Sequence, residues 1–261
     1  TKNIEADSTF RTGAKWGGVW TRDISYSIIL AFAYHEPEVA KISLRKKVNR
    51  GRIVQDTGSG GAWPVSSDRV VWAIAAWEIY KVTGEQAWVD EIYPIIKNSL
   101  EDDYRTLHDP ETGLYAGESS FLDWREQTYP KWMSNMDIAV SQNLGTNVLH
   151  YRANRILAEM SALKGESGDA YTKRADDIKA GINQHLWMED KGYYAQYRYG
   201  RPHLTVSPRF EALGEALAVL FDVPDADRAA SIISRSPVTE YGVTCIYPQI
   251  PGIPPYHNNA I

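Results

Sequence analysis

The sequence predicts an all-α protein, an (α/α) toroid in which helical hairpins form two concentric rings. Three observations predict it. Apolar residues recur at helical spacing through most of the chain. The helices they define mostly alternate between apolar all round and amphipathic, as buried inner and half-wet outer helices would. A turn segment also recurs, Leu107-His-Asp-Pro-Glu-Thr-Gly-Leu-Tyr115 and Leu186-Trp-Met-Glu-Asp-Lys-Gly-Tyr-Tyr194. Each copy ends an outer helix, places Gly in the turn and runs into Tyr. An α-solenoid also stacks helix pairs, but in shorter and more even repeats.

The elements follow in order. Residues 23–34 carry Ile24, Ile28, Ile29, Leu30 and Phe32 and are apolar nearly all round. Residues 38–48 form a mixed, charged helix. Residues 68–82, with Val70, Val71, Trp72, Ile74 and Trp77, are again apolar on most sides, and Gly84 supplies the stop. Residues 85–107 are amphipathic, with Pro94 expected at a helix start or a kink. Residues 135–163 read as one helix with Val140, Leu144 and Val148 at four-residue spacing, and 169–186 as an amphipathic partner. Residues 211–221 are apolar nearly all round, and 226–234 are short and mixed. The helices at 23–34, 68–82 and 211–221 are therefore expected to be inner helices, buried on every side.

Bulk composition narrows the function. The 261 residues are 43% hydrophobic, enough for one large domain with a sizeable core. A formal charge of −5 argues against a nucleic-acid partner, which needs clustered cations. The run Arg45-Lys46-Lys47 reads as a solvated face. One cysteine, Cys245, excludes an internal disulfide but not export. No run approaches the ~18 apolar residues of a membrane span. No signal peptide is visible, and the chain opens at Thr1 without Met. The expectation is a soluble protein without a membrane partner, cytoplasmic, or periplasmic or exported after removal of a leader. Nine Trp and 16 Tyr stand against five Phe. Flat rings with a polar edge suit the C–H faces and hydroxyls of sugars, although large helical cores also use Trp. No cofactor and no metal is expected. There is no phosphate-binding Gly-rich loop, no dinucleotide fingerprint and no His pair at metal-binding spacing. Gly58-Ser59-Gly60 lacks the strand-to-helix context of a nucleophile elbow.

Three loops, 12–20, 55–68 and 117–133, each precede an expected inner helix, so a barrel of hairpins would bring them to one end. The first ends in Trp20-Thr-Arg-Asp23. Arg22 and Asp23 can grip vicinal hydroxyls while Trp16 or Trp20 covers a ring face. Asp23 equally suits an N-cap or first-turn acid. The second loop contains Trp63 and closes on Asp68. The third holds Glu118, Asp123, Trp124, Arg125, Glu126, Tyr129 and Trp132. Glycoside hydrolysis needs one carboxylic acid to protonate the leaving oxygen and one carboxylate as base or nucleophile. An apolar wall such as Trp124 would raise an acid's pKa. A purely structural reading has Arg125 tying the loop to Glu118 or Glu126. Tyr256, His257 and Asn258 near the C-terminal edge are further hydroxyl-binding candidates.

At these residues the chain resembles the six-hairpin (α/α)6-barrel glycosidases, the group of debranching-type and processing α-glucosidases, trehalases and α-L-rhamnosidases. Trp20-Thr-Arg-Asp23 is similar to the group's Trp-x-Arg-Asp element, which binds the sugar being cleaved. The segment 117–124 resembles the loop of the general acid, with Asp123 in its place. Trp187 to Tyr194 resembles a structural hairpin, and Tyr256-His-Asn-Asn259 the segment leading into a further helix. The resemblance implies a glycosidase acting by inversion on an α-linked sugar, with an oligosaccharide or glycoside as substrate. Four hairpins are counted where the group has six. The expectation is therefore a single catalytic domain that is a fragment lacking the last hairpins. Its open edge would leave apolar surface uncovered or available for self-association. The base, late in the group's barrels, is not placed, and Glu118 and Glu126 are its local substitutes. Two alternatives remain. One is a non-catalytic carbohydrate-binding remnant. The other is a sugar epimerase of related fold, for which His203 and His257 would matter more than Asp123.

Overall fold

The computed structural model describes residues 4–13, 17–55, 66–119, 129–201, 203–240 and 242–252. Contacts divide the chain into two compact units. One comprises Thr1–Trp63, Arg69–Thr106 and Arg152–Lys173. The other comprises Pro64–Asp68, Leu107–Tyr151 and Arg174–Ile261.

In the first unit, α1 (Thr21–Ser27) continues through a π-turn, Ile28–Phe32, into α2 (Ala33–His35). Then α3 (Pro37–Arg45) opens on Pro37, whose missing N–H costs nothing in a first turn. It stops short of the predicted end because β1 (Val48–Asn49) turns back to pair with β2 (Arg52–Ile53). After a 3-10 turn at Ser67–Val70, α4 (Val71–Thr83) ends at Gly84, whose φ of 68° is the left-handed stop read from the sequence. Next, α5 (Gln86–Thr106) continues through Pro94, which lies inside the helix and not at its start. Buried Trp88, Val89 and Ile92 before it, and Ile96 and Leu100 after it, hold both halves to one apolar face. The indoles satisfy backbone carbonyls. Trp72 Nε1 donates to Leu44 O, and Trp88 Nε1 to Ala76 O, each at 2.9 Å. The basic run is engaged. Arg45 grips Glu91 through two hydrogen bonds, and Lys46 lies 3.1 Å from Asp7.

The second unit corrects the reading of 135–163 as one helix. Ser134 and Asp137 form a capping box that starts α6 (Asn135–Ala139). The chain then breaks, and β3 (Gln142–Asn143) pairs with Arg198 and Tyr197, which a helix interior cannot do. It resumes as α7 (Leu144–Leu163) and α8 (Asp169–His185), whose residues 152–163 and 169–173 are counted in the first unit. A hairpin of β4 (Trp187–Met188) and β5 (Tyr193–Tyr194) follows. Then β6 (Tyr197–Tyr199) lies between β3 and β7 (Thr205–Val206). The last helices are α9 (Ala212–Leu220), entered from β8 (Phe210–Glu211), and α10 (Ala226–Arg235). Then β9 (Val238–Thr239) pairs with β10 (Gly242–Val243), and β11 (Ile246–Tyr247) returns to β8.

The repeat seen in the sequence is a repeat in space. His108 bridges Tyr115 as Trp187 pairs with Tyr194, with ring centroids 5.3 and 5.1 Å apart, edge on. Ala116 N–H donates to Leu107 O at 2.9 Å, and Ala195 N–H to Leu186 O at 2.7 Å. Gly113 and Gly192 both sit at φ 72°, where a side chain would strain the turn. The next inner helix repeats as well. Asn143 precedes α7 and pairs with Tyr197, while Glu211 precedes α9 and pairs with Ile246. Asn143, Thr146 and Asn147 thus correspond to Glu211, Gly214 and Glu215.

Of the three expected inner helices, α4 alone is buried on every side from Val71 to Trp77. In the other two, Leu30 is 83% exposed and Leu220 65%. That expectation is corrected, since apolar composition sets what a helix can bury and not what covers it. Beside α9 an apolar cavity of about 720 Å³ is lined by Leu213, Val219, Ile232 and Val243, together with Glu211 and Glu215.

Candidate active site

The site residues named from sequence fall into three groups. Trp16, Trp63, Asp123, Trp124, Arg125, Glu126, Tyr256, His257 and Asn258 lie outside the described residues. Trp20, Arg22 and Asp23 open α1 in the first unit, with Trp20 as N-cap and Asp23 in the first turn. Asp23 is therefore a first-turn acid and not the cap, placed where the helix dipole favours its charge. Arg22 is buried, and Thr21 donates to Val54 O at 2.6 Å, fixing the start of the helix.

The third group, Asp68 and Glu118, lies in the second unit, where the stems of two loops are stitched together. Ser66, Ser67, Asp68 and Glu118 are all buried. Ser66 Oγ donates to Glu118 Oε1, and Ser67 Oγ to Ala116 O at 3.0 Å. The exit of loop 55–68 and the entry of loop 117–133 are therefore neighbours, as the hairpin reading expects for this pair.

Each residue of the second stem is tied down in turn. Asn147 brackets Tyr115, accepting from its N–H at 2.7 Å and donating to its carbonyl at 3.1 Å. Gly117 adopts φ 141°, a conformation that favours glycine. Its N–H donates to Ser141 O at 2.9 Å, and its carbonyl accepts from Asn143 Nδ2 at 2.5 Å. Thr146 Oγ1 donates to Glu118 O at 2.7 Å. Ser119 N–H donates to the hydroxyl of Tyr129, which packs with Met133, Ile138 and Tyr197. Ser119 and Tyr129, the described residues on either side of 120–128, are therefore neighbours. Beneath the stem, His150 stacks on Tyr115 with centroids 4.3 Å apart. Gln142 reaches Asp109 at 2.8 Å and accepts from Arg198 at 2.9 Å. Burial works against the charge of Asp109, but Thr112, the Glu111 N–H and Gln142 outweigh it and hold its carboxyl below the usual range.

The sequence reading passed over Ser66, Ser67, Asn143, Thr146 and Asn147. Their signal was a polar stripe, Asn143, Thr146, Asn147 and His150, at three- and four-residue spacing on one face of α7. Such a stripe reads as a wet face, yet all four residues are buried. His203, the epimerase candidate, is exposed.

Repeated helical hairpins of this kind are the building units of six-hairpin glycosidases. A model of the bacterial alpha-L-rhamnosidase six-hairpin glycosidase domain matches residues 56–235, more than half of the chain, and the chain belongs to that family. It is 24% identical over 166 residues to a periplasmic trehalase of Salmonella dublin, a match covering 61% of this chain and 28% of the trehalase. In structure it resembles a GH63 mannosylglycerate hydrolase from Thermus thermophilus, with TM-score 0.72 and 14% identity over 96% of this chain and 79% of that one. It also resembles a GH78 rhamnosidase of Bacillus sp. GL1, with TM-score 0.62 and 20% identity over 83% of this chain and 22% of that one. The chain thus spans about a quarter of the trehalase and of the rhamnosidase. The all-α class and the six-hairpin resemblance expected from the sequence both stand. No helix among the described residues is long and apolar enough to cross a membrane.

Proposed function

We propose that this chain supplies the acid and part of the sugar site of a glycoside hydrolase that cleaves an α-linked sugar with inversion. Asp123 is the general acid. The observation that carries this reading is the hydrogen bond between buried Ser119 and Tyr129, which stand on either side of residues 120–128. A general acid works only within hydrogen-bond reach of the leaving oxygen, so its loop needs fixed anchors. Membership of a glycosidase family supports the class of reaction. Arg22 and Asp23 hold hydroxyls of the sugar, and Trp20 or Trp124 stacks on its face. Trp16, Trp63, Asp68, Arg125, Tyr256, His257 and Asn258 complete the substrate contacts. Of the local alternatives for the second carboxylate, Glu118 is buried and taken up by Ser66, which suits a tie better than a base.

The test offers the intact protein trehalose, mannosylglycerate and an aryl α-L-rhamnoside, the substrates that the relatives' names suggest. Hydrolysis of at least one is expected. Binding without turnover would favour a carbohydrate-binding remnant, and an epimerised product the epimerase reading.

A further inference from the structure

We propose that Thr146, seconded by Ser66, is a positioning residue for the general acid, a role that rests on the assignment of Asp123. Glu118 lies two residues before the 120–128 segment and is held by both its backbone and its side chain. Thr146 holds the carbonyl and Ser66 the carboxylate. Thr146 lies in the first turn of α7, where no helical carbonyl four residues earlier is present to accept its hydroxyl. The Thr146 hydroxyl is directed instead out of α7 to the loop stem.

The internal repeat supplies a control within the same molecule. Both copies share the hairpin bonds of Leu107 with Ala116 and Leu186 with Ala195, and both share the left-handed glycines. In the second copy the place of Thr146 is taken by Gly214, so the framework closes there without a hydroxyl. A Cβ on Gly214 would lie 3.0 Å from Gly145 N and 2.6 Å from Glu211 Oε2, so this copy has no room for one. In the second copy the chain beyond the hairpin enters β6 and is held by strand pairing. In the first copy Gly117 and Glu118 have no named strand to hold them. Beyond the one backbone bond from Gly117 N–H to Ser141 O, side chains of Ser66, Ser141, Asn143 and Thr146 bind this stretch. The hydroxyl is therefore a feature of the copy that leads into Asp123 and not a demand of the fold.

A loop stem released from Thr146 shifts the acid relative to the leaving oxygen and leaves sugar contacts on other elements in place. The test uses the intact protein and two α-glycosides of one sugar, an alkyl and a nitrophenyl glycoside. Thr146→Val keeps the shape and removes the donor. It should lower kcat on the alkyl glycoside about tenfold, as small misplacements of catalytic groups do, with KM little changed. The nitrophenyl glycoside, which needs little protonation, should lose much less, and Thr146→Ser should recover the alkyl activity. Ser66→Ala should shift the ratio of the two rates in the same direction, which provides a readout if Thr146→Val does not fold. An equal loss on both glycosides, or no recovery in Thr146→Ser, overturns the proposal. Asp123→Asn measured alongside separates the two ideas. If it changes the ratio and Thr146→Val does not, the positioning role alone fails. If Asp123→Asn leaves the ratio unchanged, the acid assignment fails and the positioning role with it.

Discussion

Asp123→Asn is expected to slow cleavage of a poor leaving group by about 10²–10⁴-fold, the usual contribution of a positioned general acid. Asparagine keeps the size and planarity of the side chain but has no acidic proton to give. The departing alkoxide of an alkyl glycoside would then leave unprotonated, and the barrier rises. A nitrophenolate is stable as an anion and leaves without that proton, so its rate should fall far less. The acidic limb of the pH profile need not change, but the basic limb should flatten, because the group whose deprotonation ends activity is gone. Steady-state rates of both glycosides across pH, with wild type and variant of the intact protein, check this. Wild-type activity of the variant on the alkyl glycoside would remove Asp123 from the mechanism.

Glu211→Gln is expected to gain stability relative to the wild type as the pH rises from about 4.5 to about 7. Glu211 is 1% exposed at the entry to α9, where its carboxylate accepts from Leu213 N–H and Gly214 N–H at 2.9 and 2.8 Å. Burial outweighs those two bonds and pushes its carboxyl up to about 7. Its neighbour Glu215 is raised as well, by burial first and, beyond the offsetting Tyr194 N–H, by the charge of Glu211. The sign follows from linkage. Between the ordinary value of 4.5 and about 7 the unfolded chain has already lost this proton while the folded chain keeps it. Raising the pH through that window therefore favours unfolding, by about 3 kcal/mol in all at 1.4 kcal/mol per unit. Glutamine keeps one of the two acceptor oxygens and does not titrate, so the lost cap bond offsets the variant from the wild type by the same amount at every pH. The gap between variant and wild type should open from pH 4.5 to 7 and then level. Denaturant unfolding at a series of pH values measures it. Carboxylates held low, such as Asp109 and Asp137, slope the other way in both proteins and cancel in the difference. A gap that is constant with pH would mean that Glu211 is ionised throughout in the folded state.

The parts legible in the sequence were those set by local pattern. Val71 to Trp77 is apolar on every side and is buried on every side. Gly84 marks the end of its helix, and the recurring turn became two hairpins with matching hydrogen bonds. The misreadings came from partners distant in sequence. Residues 135–163 carry helical periodicity across Ser141, Gln142 and Asn143, but Tyr197 and Arg198 draw that stretch into a strand pair. Of the two places expected for Pro94, the helix start is excluded, because the apolar face on both sides of it keeps α5 continuous. For the site, motif spacing pointed to the two stems that Ser66 and Ser67 join. It could not reveal the clamp on α7, because buried Asn and Thr residues with backbone partners look like solvent-facing ones in a one-dimensional pattern.

The stereochemistry of the first product tests the account most directly. Inversion requires an acid on one side of the anomeric carbon and a water-activating carboxylate about 6.5–9.5 Å away on the other. Proton NMR of the intact protein with an α-linked substrate, recorded before the sugar mutarotates, reads the configuration at once. The account predicts that the anomer of opposite configuration appears first. Initial release of the anomer with the substrate's own configuration would contradict it.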